Sequence, residues 1–317
     1  MKGKGSFTKE DAKKKNEQLV EELKGLISEV TPDDILKFSR SWIAGKMTFP
    51  GLKSYSLHNY IIAMLQMKRR GLEGITFIAP YSTWKEKGRQ VKKGQKALKI
   101  LAPMISKYWV DEVGKYHWIS RKNPAPKGVE IKTMLTGFQL VPVFDFSQTE
   151  GDEIKDFEVV KGGLQGVWSE GESKYSLDHV LSVSGITVNF YDVSRKGEEG
   201  YTNGSVVGLL DHRDEPGKEQ DMISTFVHEW AHFKLHFDEQ GSKVPGAVKE
   251  VEAETVAFVV CSLLGFKSLQ APIYIKGWEK KTKDTKPRID KVLKVVESIS
   301  NSIFLSEEKS ESIQKSA

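Results

Sequence analysis

A chain of 317 residues, 38% apolar and 10% aromatic, has enough material for two ordinary domains with hydrophobic cores, which excludes a predominantly disordered protein. Its longest apolar runs, such as "TVAFVV" and "IIAML", are too short to span a bilayer, and no apolar segment follows the charged start "MKGKGSFTKEDAKKK"; a soluble, cytoplasmic protein with no membrane partner is expected. A single cysteine, Cys261 in an apolar run, excludes an internal disulfide, and the net charge of +5 divides into a basic half (residues 1–150, 27 Lys+Arg against 15 Asp+Glu) and an acidic one (residues 151–317, 21 against 28).

In chain order, Leu19, Leu23, Leu26, Ile27 and Val30 recur at helical spacing and predict a helix from Thr8 to about Val30. Thr31-Pro32 caps a second helix that runs to about Trp42. "AGKMTFPGLKSYS" breaks the pattern, and a third helix spans Leu57 to Arg70, ending at Gly71. Short strand-like runs follow: "ITFIAP", "ALKILAPMI", "KYWVDE", "KYHWIS" and "GFQLVPVFDF". Residues 151–165 read as a polar linker. Beyond it come a helix at Ser176–Ser182, the strand "ITVNFYDV", the strand "SVVGLLD", and a long helix through His228. A second long helix from Val248 to Leu264, a final one from Arg288 to Ile303 and a disordered tail at 306–317 complete the pattern. The fold class predicted is α+β in two domains: a small basic one over 1–150 and a second over 166–305.

"HEWAHFKLH", His228 to His236, holds the HExxH pattern at His228, Glu229 and His232. Histidines four apart on a helix share one face and can hold one zinc ion, while the intervening Glu229 stands beside the metal as a general base for water. A third ligand is needed. His236 sits roughly 12 Å of helix rise beyond His228 and cannot join both histidines on one ion, so it reads as a helix-face histidine at the surface. The helix "KEVEAETVAFVV" offers Glu250 and Glu254 on one face of an otherwise apolar segment, where carboxylates are costly unless a cation or donor meets them. Glu250 is assigned as the ligand and Glu254 as the group orienting a histidine ring, against the alternative of an exposed polar stripe. Glu252 points elsewhere and reads as a solvated charge. "SVVGLLD" is either an edge strand beside the metal helix, open to an extended peptide, or a plain core strand.

In the basic half, residues 81–107 hold seven Lys and one Arg against one Glu, interleaved with Tyr81 and Trp84, and Gly88 and Gly94 point to a turn-rich surface. Two readings stand: cations for phosphates with aromatics for unpaired bases, or a solubilising face over core aromatics.

Both halves resemble one family. "SYSLHNYIIAMLQ", "WKEKGRQVKKGQKALKILAP" and "GFQLVPVFDFSQTEG" resemble the N-terminal domain of ArdC-type antirestriction proteins, with the W…GR.V.KG.K signature at Trp84, Gly88, Arg89, Val91, Lys93, Gly94 and Lys96. "HEWAHFKLH" with "EVEAETVAFVVCSLLGF" resembles the zincin-like metallopeptidase domain of the same proteins and, more loosely, the ImmA/IrrE peptidases. The resemblance implies single-stranded DNA as a partner, a protein or peptide as substrate, Zn²⁺ (or Mn²⁺ or another divalent ion) as cofactor, and a mobile-element or phage context. It places His228 and His232 at the metal histidines, Glu229 at the catalytic glutamate and Glu250 at the downstream acid. Tyr55, Asn59, Trp84, Arg89, Lys92, Lys93 and Lys96 match or adjoin its DNA-binding motif. The alternatives are a protective DNA-binding protein with an idle or structural metal site, and a peptidase whose basic half docks a protein.

Overall fold

Three helices open the chain: α1 (Lys9–Ile27), α2 (Pro32–Thr48) and α3 (Leu57–Arg69). The computed structural model describes residues 9–27, 30–48, 55–72, 77–153, 173, 175–193, 197–266 and 287–306. The Thr31 hydroxyl accepts from the Asp34 amide at 3.1 Å, which caps α2 where the Thr-Pro pair predicts it. The helix runs past Trp42 to Thr48, since Trp42, Ile43 and Ala44 are all buried and continuing the helix keeps their backbone groups paired. At α3 the Ser56 hydroxyl plays the capping part, accepting from the Asn59 amide at 3.3 Å.

A four-stranded antiparallel sheet follows, in the order β1 (Ile78–Ala79), β5 (Lys132–Asp145), β3 (Leu98–Val110), β4 (Tyr116–Trp118). Beside it, β2 (Arg89–Val91) pairs with β6 (Thr149–Gly151). Residues 81–86, expected as turns, form a short helix, α4 (Tyr81–Glu86), which turns Trp84 inward; Gly88 follows at φ +71°, the left-handed conformation that favours glycine after a helix.

Only the inner ends of β3 and β5 reach the core, through Leu98, Ile100, Leu101 and Val143. There α3 seals the open edge of β3 with side-chain amides. Asn59 donates to the Leu101 carbonyl at 2.8 Å and accepts its N–H at 2.9 Å, and Gln66 does the same for Lys99 at 2.7 and 2.9 Å. The pairing slips between Met104 and Ile105, opposite Gly137. Past that bulge the two strands and β4 project as an arm with exposed Ile105, Tyr116, Trp118, Met134 and Leu135.

The acidic half begins with α5 (Leu177–Ser182) and a three-stranded sheet of β7 (Thr187–Tyr191), β9 (Val206–Leu210) and β8 (Gly200–Thr202), in that order. β9 is therefore the central strand, parallel to β7 and antiparallel to β8. "SVVGLLD" is thus the core strand of the two readings, and β7 and β8 are the edges. Four helices complete the half: α6 (Glu219–Leu235), the single turn α7 (Glu239–Ser242), α8 (Gly246–Leu263) and α9 (Ile289–Phe304).

One buried apolar cluster runs through both halves. α2 packs on α8 and α9 on α3, with Lys46 donating to the Asn301 side chain at 2.9 Å and the Leu57 N–H to Glu297 at 3.0 Å. The boundary near residue 150 separates charge rather than cores. Most of the linker expected at 151–165, and all but the first residue of the tail expected at 306–317, lie outside the described residues. Among the described residues no helix is long and apolar enough to cross a membrane.

Candidate metal centre

Helix α6 buries Met222, Ile223, Phe226, Val227, Trp230, Ala231 and Leu235, and this apolar stripe fixes the rotation of the helix. The opposite stripe then carries His228, Glu229 and His232. α8 packs directly against α6 and brings Glu250 and Glu254 to the same place.

The ligand atoms converge. His228 Nε2 and His232 Nε2 stand 3.0 Å apart, and the Glu250 carboxylate oxygens lie 3.6 Å from the first and 3.5 Å from the second. Ligands about 2.0–2.1 Å from a tetrahedral ion are spaced about 3.3–3.4 Å from each other, so this triangle has the right size for a divalent cation. Among the described residues, these three form the one group of His, Cys, Asp or Glu side chains that could hold a metal. Glu254 stands behind the first histidine, its carboxylate 2.7 Å from His228 Nδ1. In that contact His228 Nδ1–H donates to the Glu254 carboxylate, which leaves the Nε2 lone pair for the ion.

Electrostatics follow from the packing. Burial works against the charged form of His228, but Glu250 and Glu254 outweigh it and push the imidazole up to about 10; a cation arriving at Nε2 displaces a proton. Hydrogen bonds to His228 and His232 hold the Glu250 carboxyl well below the usual range. Burial raises the Glu229 carboxyl, a shift that His228 and His232 moderate, which brings it toward the range suited to passing protons. Edge strand β8 lies against this residue: a Cβ on Gly200 would fall 3.1 Å from Glu229 Cγ and 2.6 Å from Thr225 Cγ2.

Two of the sequence expectations are corrected here. His236 is 4% exposed, not a surface histidine, and Glu252 is 0% exposed, not a solvated charge. α6 ends at Leu235 and His236 takes non-helical φ −122° and ψ 0°, which leans its ring back under His232 instead of out to solvent. His236 Nε2 meets Glu252 at 3.0 Å, and Arg288 meets the same carboxylate through its backbone N–H (2.6 Å), Nε and Nη2 (2.7 Å). Arg288 also caps α6 through the Leu235 carbonyl at 3.0 Å. The available signal was the apolar surround of Glu252 in α8, the same argument that singled out Glu250 and Glu254.

The chain aligns with two crystal structures of the antirestriction ArdC protein from the R388 plasmid. Its metal-free crystal structure is 18% identical with a TM-score of 0.44, over 79% of this chain and 84% of that one. Its Mn(II)-bound structure is 17% identical with a TM-score of 0.44, over 86% and 94%. A Bacillus anthracis protein, the uncharacterized pXO2-81, is 24% identical over an alignment of 322 positions that covers 95% of this chain and 54% of that protein. The chain thus spans about half the length of that relative. No protein-family model matches the chain.

The residues proposed from the motif of the basic half divide by exposure. Trp84, 1% exposed, donates from its indole to the Phe144 carbonyl at 3.0 Å and packs edge-on to Phe77 and Phe146. Arg89 is buried over the Phe146 ring and donates to Thr149, Gly151 and Asp152. Asn59 is occupied by Leu101, and half-buried Tyr55 packs against the core. Lys92, Lys93 and Lys96 are exposed, Lys92 reaching the Ser147 carbonyl at 3.0 Å. Exposed Tyr116 and Trp118 lie further along, on the arm, beside half-buried Tyr108, Trp109 and His117. On one face Tyr108 packs with Tyr116 (5.1 Å between centroids) and Trp118 (5.6 Å), and on the other Trp109 stacks on His117 at 4.4 Å.

Proposed function

We propose that this chain is an antirestriction-type cytoplasmic protein that hydrolyses peptide bonds at a divalent-metal site and binds single-stranded DNA through its basic half. The observation that carries the enzymatic part is the triangle of His228 Nε2, His232 Nε2 and Glu250 oxygens beside a carboxyl, Glu229, whose pKa burial has raised. Two imidazoles and one carboxylate suit zinc, with Mn²⁺ or another divalent ion as the alternative. When bound, the ion supplies a Lewis acid for the scissile carbonyl and for water. Glu229 takes the proton of the attacking water and delivers it to the leaving amine. Glu254 keeps the Nδ1 hydrogen of His228 occupied. An extended peptide added to the edge of β8 would run past Glu229, giving the carbonyl its approach.

For DNA, the reading rests on Lys92, Lys93 and Lys96 for phosphates and on the rings of the arm for unpaired bases. Residues 104–136 add six Lys and Arg against three acids.

The test is Glu229→Gln in the full chain, loaded with zinc and given a mixed peptide pool read by mass spectrometry. Wild type is expected to cleave, and the variant to lose about 10²- to 10⁴-fold in rate with its metal content unchanged. A zinc-loaded wild type that leaves the pool intact, or a variant that cleaves at the wild-type rate, overturns the peptidase reading and leaves the idle-site alternative.

A further inference from the structure

His228 and His232 are both held from behind, but by different means. Behind His228 stands a single carboxylate, Glu254. Behind His232 stands a chain of buried groups: His232 Nδ1 faces His236 Nδ1 at 2.9 Å, His236 Nε2 faces Glu252 at 3.0 Å, and Glu252 is gripped by Arg288 at 2.7 Å. Burying a carboxylate costs several kcal/mol unless charge and hydrogen bonds offset it, and here Arg288 supplies both. The turn after α6 is closed tightly onto this chain: a Cβ on Gly241 would fall 2.7 Å from His236 Cα.

The hydrogens on these rings follow by elimination. His232 must offer a bare Nε2 to the ion, so as a neutral ring it carries its hydrogen on Nδ1. The acceptor facing that hydrogen is His236 Nδ1, which accepts only when bare. His236 therefore carries its own hydrogen on Nε2, aimed at the Glu252 carboxylate. Any other assignment sets two hydrogens or two lone pairs against each other somewhere along the line.

We infer that His236, backed by Glu252 and Arg288, is a positioning residue that fixes the tautomer and ring plane of His232 for a divalent cation. The inference rests on the metal-centre reading above and adds residues that touch neither ion nor substrate. It separates two substitutions of similar size. In His236→Asn the amide oxygen takes the place of Nδ1 and can still accept from His232. In His236→Gln the amide nitrogen takes the place of Nε2, keeps the donation to Glu252, and leaves His232 without its acceptor.

The experiment is zinc affinity of the full chain by competition with a chromophoric chelator, with thermal melts of the metal-free proteins alongside. Expected are a loss of about 10- to 100-fold for His236→Gln and an affinity close to wild type for His236→Asn. A purely structural role for His236 predicts the reverse order, since Gln preserves the buried contact with Glu252; that order, or equal affinities, overturns the inference. Should both variants fail to fold, long-range ¹H–¹⁵N spectra of zinc-loaded wild type decide: hydrogens on His232 Nδ1 and His236 Nε2 support it, and one on His236 Nδ1 refutes it. A wild type that binds no zinc at all is a different result and removes the metal-centre reading itself.

Discussion

Helices α6 and α8 hold Glu252 and the neighbouring His236 at depth, each against a defined partner, while the arm formed by β3, β4 and β5 holds Tyr116 and Trp118 in the open. Glu252, at 0% exposure, is matched by Arg288 and His236, yet Tyr116 and Trp118 stay 55% and 45% exposed. The difference suits the two jobs proposed. A reacting centre gains from groups whose positions are settled before substrate arrives, because little reorganisation remains to oppose the reaction. A surface for an extended polymer gains from rings that any base can stack on.

The largest effect expected from breaking this contrast is on stability. Trp84→Ala removes an indole packed between Phe77 and Phe146 and its hydrogen bond to Phe144, and should cost about 3–5 kcal/mol in urea unfolding. Trp118→Ala should stay within about 0.5 kcal/mol of wild type in the same measurement. In single-stranded DNA binding, Trp118→Ala should lose about 1–3 kcal/mol for each base it stacks. If Trp118→Ala destabilises the fold as Trp84→Ala does, the arm is part of the core and the contrast fails.

A smaller effect tests how closely the catalytic side is fitted. Gly200→Ala puts a methyl 3.1 Å from Glu229 Cγ and 2.6 Å from Thr225 Cγ2. Either β8 or the Thr225 side chain must shift, and Glu229 must give way slightly, at a cost of about 1–3 kcal/mol in stability. Peptide hydrolysis should fall by about tenfold or more while zinc affinity holds, because the ligands themselves are untouched. Equal losses of affinity and rate would place the strain on the metal instead.

What the sequence made visible depended on whether a group's partner was local. His228 and His232, and likewise Glu250 and Glu254, announce a shared face by four-residue spacing. The match between the two helices rests on the cost of carboxylates in an apolar segment. The same cost applies to Glu252, but its partner Arg288 stands 36 residues on, at the start of the final helix, with nothing local to pair them. His236 was misplaced because the helix was extended through it, whereas the turn into α7 redirects its ring. In the basic half, residue type alone could not tell which aromatics face inward. α4 has too few turns to show a periodicity, and the strand pattern of β3 and β5 does not record that their outer halves leave the core.

The weakest single effects belong to the lysines, and they sharpen the contrast within the basic half itself. Lys93 and Lys96 are exposed, whereas Arg89 of the same run is buried beneath Thr149 and Phe146. A cation that meets a phosphate releases a counterion, so each such contact adds about 0.7 to the slope of log affinity against log salt on a single strand. Lys93→Ala and Lys96→Ala should each flatten that slope by about this amount without changing the melting temperature. Trp118→Ala should weaken binding at every salt concentration and leave the slope alone, since stacking releases no counterion. A salt-independent affinity in wild type would show that phosphates are not the contact, and the basic half would then be a surface for docking a protein.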